Sequence, residues 1–113
     1  MTVTALSEHL MRIVLVGRLD TPGTDRVETR LIAHLSPGEK NALIDVSGVD
    51  FVSSMGIRML VSAAKIMRTR QRTLAMFGAQ VRVLQIFEAA TLQQIMPICA
   101  TEAEALVAIT PSE

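Results

Sequence analysis

The chain has 113 residues, half of them hydrophobic, with 11 acidic and 11 basic side chains that cancel. That size suits one domain, residues 1–113, built on a single core, and the charge balance argues against a nucleic-acid or anionic-membrane partner held by bulk electrostatics. Cys99 is the only cysteine, which excludes an internal disulfide, and neither a leader-like N-terminus nor an apolar run near the roughly 18 residues of a membrane span is present.

A weak strand around Val3 to Leu6 precedes a β-branched run from Arg12 to Val16, which Gly17 ends. The two pair as a hairpin at one side of a sheet. Thr21-Pro22-Gly23 opens a helix whose stripe is Val27, Leu31 and Leu35, and Ser36-Pro37-Gly38 terminates it. Ala42 to Val46 is a compact apolar run of the kind a sheet buries on both faces, with Ser47-Gly48 as its stop. A second helix runs from about Met55 to Thr69. Thr73 to Phe77 forms the next strand, and Gly78 leads into a third helix through Val83, Leu84, Ile86 and Phe87. Pro97-Ile98-Cys99 is a short extended piece, and Thr101 caps a last helix with Glu102 and Glu104 in its first turn. Strands alternating with helices imply right-handed crossovers and a largely parallel sheet.

The stretch from Ala42 to Leu60 carries the functional signal, because strand, polar turn and helix start follow one another within it. Ser53 and Ser54 stand at the N-terminus of the second helix. On that helix, Ile57, Leu60, Val61 and Ala64 share one face, which reads as the core seam. Met55, Met59 and Ile66 lie nearly opposite and read either as packing against flanking helices or as an adaptable methionine docking face. Arg58, Ser62 and Lys65 form the polar side.

Asp45-Val46-Ser47, Val49, Phe51-Val52 and Gly56-Ile57 resemble the signature of STAS domains, the anti-sigma factor antagonists, and Gly17-Arg18-Leu19-Asp20 resembles the Gly-Glu-Leu-Asp that closes that family's second strand. The likeness spans nearly the whole chain. It implies an α/β, STAS-like single domain: a mostly parallel central sheet of four to five strands, an N-terminal antiparallel hairpin and about four helices. It also implies a cytoplasmic, phosphorylation-controlled binding switch rather than an enzyme, one that sequesters an anti-sigma factor serine kinase and so frees a sigma factor. Aligned on Gly56, Ser53 stands where the family has Asp, and Met55 where it has the phosphorylated Ser or Thr. Ser54 retains the family residue. The resemblance therefore implies Ser54 as the preferred phosphoacceptor with Ser53 second, and a partner surface of Asp20, Ser53, Ser54, Met55, Gly56, Arg58 and Met59. The alternative is an unphosphorylated STAS subunit of a larger complex, such as a lipid-transport ATP-binding cassette system.

Physical chemistry gives each of these residues a plainer role as well. Either serine suits a helix cap, and a phosphate on one would add nearly two negative charges at the positive end of the helix dipole, acting on the partner rather than on the fold. Asp20 and Asp45 close strands at the end where the serines emerge, which in open α/β sheets carries sites; each also suits bonding to turn backbone. His9 and His34 lack metal-ligand partners, and Arg68, Arg70 and Arg72 complement a helix C-terminus. No cofactor loop and no Ser-His-Asp spacing is legible, so Ser54 as a hydrolytic nucleophile lacks a base.

Overall fold

Side-chain alternation along the second strand sets the layering. In a computed structural model, which describes residues 1–109, Met11, Ile13 and Leu15 point into the larger core while Leu10 packs against the smaller one on the opposite face. This strand, β2 (Leu10–Leu19), pairs antiparallel with β1 (Thr2–Ser7). It pairs parallel with β3 (Asn41–Val52), followed by β4 (Leu74–Phe77) and β5 (Ile98–Cys99), in the spatial order β1-β2-β3-β4-β5.

The helices α1 (Thr21–Leu35), α2 (Ser54–Thr69) and α3 (Val81–Ala89) each connect parallel neighbours taken in the same direction. Right-handed crossovers then put all three on one face. Leu31, Leu35, Met59, Leu60, Val83 and Phe87 fill that face with Ile13, Ile44, Val46 and Met76. The other face is covered by α4 (Glu102–Ile109), whose Ala105 and Ile109 pack on Leu43, Ala75 and Phe77. Arg12 reaches across from β2 to Glu102 at 2.6 Å, and the Thr101 hydroxyl accepts from the Glu104 N–H, capping α4.

Two expected strand ends are bulges instead. The strand β2 continues past Gly17 to Leu19, and β3 passes Ser47-Gly48 to reach Val52. The Asp45 carboxylate accepts from both the Ser47 N–H (2.9 Å) and hydroxyl (2.7 Å), which folds the turn residues into the strand. Register slips between Val14 and Val16 and again between Gly17 and Arg18, where Gly17 takes a positive φ of 88°. The prolonged strands carry Asp20 and Ser53 to the same end of the sheet.

Candidate functional site

The site is built where β2 and β3 run out together. The Ser53 N–H and its hydroxyl both donate to the Leu19 carbonyl at 2.9 Å, and its Oγ accepts from the Gly56 N–H at 3.3 Å. Ser53 is thereby the N-cap of α2, and its hydroxyl is committed in both directions. One residue on, Ser54 is exposed at the first helical position and makes no side-chain hydrogen bond within residues 1–109. Neighbouring serines therefore differ sharply: one hydroxyl belongs to the fold and the other faces solvent.

Gly56 allows this arrangement. It is buried, and a Cβ there would lie 2.8 Å from the Leu19 carbonyl oxygen and 2.9 Å from a Val52 methyl, so only glycine lets the first turn of α2 approach the strand ends so closely. Gly56 positions the serines and presents no surface of its own. Asp20 does for α1 what Ser53 does for α2, accepting from the Gly23 N–H at 2.8 Å. Arg18 pairs with the same carboxylate at 3.4 Å and lies 4.5 Å from the centre of the Phe51 ring, its register partner on β3. The Gly23 N–H, with Arg18 in support, holds the Asp20 carboxyl below its ordinary value of 3.8.

Beside Ser54 lies an open groove of about 420 Å³ between α2 and α3, floored by Ile57, Ile86, Ala89 and Ala90. Met55 is half-buried and Arg58 exposed. Met59 departs from the expected docking face: it is fully buried in the core, along with Leu60, Ala63, Ala64 and Met67. The inward face of α2 is centred on Gly56, Met59, Leu60 and Ala63, and Ile57 and Val61 sit at its margin rather than at its middle. Neither Arg18 as a site residue nor the Ile57–Ile86 groove is legible in the sequence. Each needs the pairing of distant segments, although Arg18 and Phe51 both fall inside the motif pieces that point here.

Cys99, half-buried on the other face, has its thiol pushed up by burial and then by Glu104. No cluster of three metal-ligating side chains occurs among the described residues, and no helix there is long and apolar enough to cross a membrane.

Residues 3–105 match the family model of the STAS domain. The chain is 27% identical over 84 residues, 74% of its length and 72% of the relative's, to BtrV of Bordetella bronchiseptica, provisionally named an anti-sigma factor antagonist. It is 29% identical over 92 residues, 81% of each chain, to the anti-sigma-B factor antagonist of Listeria monocytogenes. Among solved structures, SpoIIAA, a Bacillus cell fate determinant determined in its phosphorylated form, superimposes with a TM-score of 0.72 over 96% of this chain and 98% of its own, at 15% identity.

Proposed function

The chain belongs to the STAS domain family, and from that membership we propose that it acts as a cytoplasmic anti-sigma factor antagonist that binds an anti-sigma factor serine kinase and is switched by phosphorylation of Ser54. The observation that carries this reading is the division of labour at the start of α2. Ser53 is locked to Leu19 and Gly56, so phosphorylating it would remove the proton that it donates to the Leu19 carbonyl and crowd the cap that receives the Gly56 N–H. The Ser54 hydroxyl is exposed and uncommitted, at the positive end of a 16-residue helix and on the rim of an apolar groove. A phosphate there is compatible with the folded domain and hostile to a partner that must desolvate it. Asp20, Met55 and Arg58 flank the docking face, while Met59 and Gly56 support it from within.

One observation favours a second reading. Met55 offers no hydroxyl where the family pattern has its acceptor, which suits a constitutive subunit of a larger complex, such as a lipid-transport system, that docks without a switch. Incubation with the cognate kinase and Mg-ATP, followed by peptide mass spectrometry, separates the two. The switch predicts phosphate on Ser54. A kinase that is active on another substrate and leaves this chain unmodified supports the constitutive subunit.

A further inference from the structure

The balanced overall charge conceals a local excess. Between the end of β2 and α1 lies a cleft of about 300 Å³ lined by Arg18, Arg26 and Arg30 and by no carboxylate. Elsewhere several arginines are spent on the fold: Arg12 pairs with Glu102, Arg70 donates to the Ser36 carbonyl and Arg72 to that of Gly38. Arg26 and Arg30 make no ion pair or hydrogen bond among the described residues, although they sit one turn apart on α1, where like charges oppose each other. Arg18 is held in place by Phe51 and Asp20. Apolar surface is interleaved with the guanidinium groups: Val16 is 63% exposed and Val27 half-buried. At Gly17 the backbone is open, with no atom beyond its own and its chain neighbours' within 4 Å of the point a Cβ would occupy.

We infer that this cleft binds an acidic, partly apolar peptide segment of a protein partner, its carboxylates engaging Arg26 and Arg30 and its apolar side chains resting on Val16 and Val27. Guanidinium forks match carboxylates in bidentate geometry, and the missing counter-charge is then supplied by the ligand. A free phosphate is disfavoured because the backbone N–H at the start of α1 that would receive it is already taken by Asp20 at 2.8 Å. The cleft adjoins the Ser54 site and shares Arg18 with it, but Arg26 and Arg30, which carry the inference, belong to the cleft alone. Its occupation stands or falls independently of phosphorylation, although Leu19, which lines it, also carries the carbonyl that holds Ser53.

The test is fluorescence anisotropy with a labelled peptide of alternating glutamate and leucine, titrated with the full chain at low salt. Saturable binding is expected, weakened about tenfold or more by the double substitution Arg26→Gln with Arg30→Gln. The double substitution Arg68→Gln with Arg82→Gln removes the same charge elsewhere and should leave binding unchanged, with matched thermal melts for all three proteins. Three results would overturn the inference: no saturable binding to the wild-type chain, equal weakening by both double variants, or tighter binding of inorganic pyrophosphate that displaces the peptide.

Discussion

Ser53 and Ser54 differ in what their hydroxyls touch, and stability measurements should separate them. Ser53→Ala removes the α2 cap and the hydroxyl's bond to Leu19, so urea denaturation should show a loss of about 1 kcal/mol or more. Ser54→Ala removes no bond of the fold and should stay within about 0.5 kcal/mol of the parent. Asp20 predicts a pH effect of definite sign. Its carboxyl is held below 3.8 in the folded chain, so its contribution is present above the unfolded value and is lost as pH falls through the lowered folded one. Asparagine caps a helix as well as aspartate but does not titrate. The stability difference between the parent and Asp20→Asn should therefore hold at neutral pH and narrow steadily below about pH 4 in acid titrations followed by circular dichroism.

At the scale of elements, α2 shows where periodicity is informative and where it stops. Its existence, its approximate start and its place after β3 are legible in the spacing from Ile57 onward. Which face it buries is not, because between Met55 and Met67 only Arg58, Ser62 and Lys65 interrupt a nearly continuous apolar surface, and the buried residues include Gly56, Ala63 and Ala64, which contribute little hydrophobic signal. Burial resolves the ambiguity with a consequence for mutagenesis. Met59→Asp places an unpaired carboxylate in the core, as Leu60→Asp does, and both should lose several kcal/mol or fail to fold. Arg58→Asp, on the exposed side, should remain folded with a melting temperature close to the parent's. The strand ends escape local reading for a related reason. Gly17 and Ser47-Gly48 have the local chemistry of turns, and only the pairing of β2 with β3 across a distance in sequence makes them bulges.

For the whole molecule, the order of strands and helices follows from their alternation, and the location proposed for the site rests on a signature contained in one continuous segment. Charge distribution follows from neither, since Arg18 meets Arg26 and Arg30 only once α1 is laid against β2. The folded domain then presents, at and near one end of its sheet, a free serine, an apolar groove and a basic cleft around two helix starts that are already capped from within. In the switch proposed for this domain, negative charge on Ser54 acts on the partner and not on the fold. Calorimetric titration of the cognate kinase with the parent chain and with Ser54→Asp, alongside thermal melts of both, tests this most directly. Matched melts are expected, with affinity weakened at least about tenfold, about 1.4 kcal/mol; a Ser54→Asp chain that stays folded and binds as tightly as the parent would contradict it.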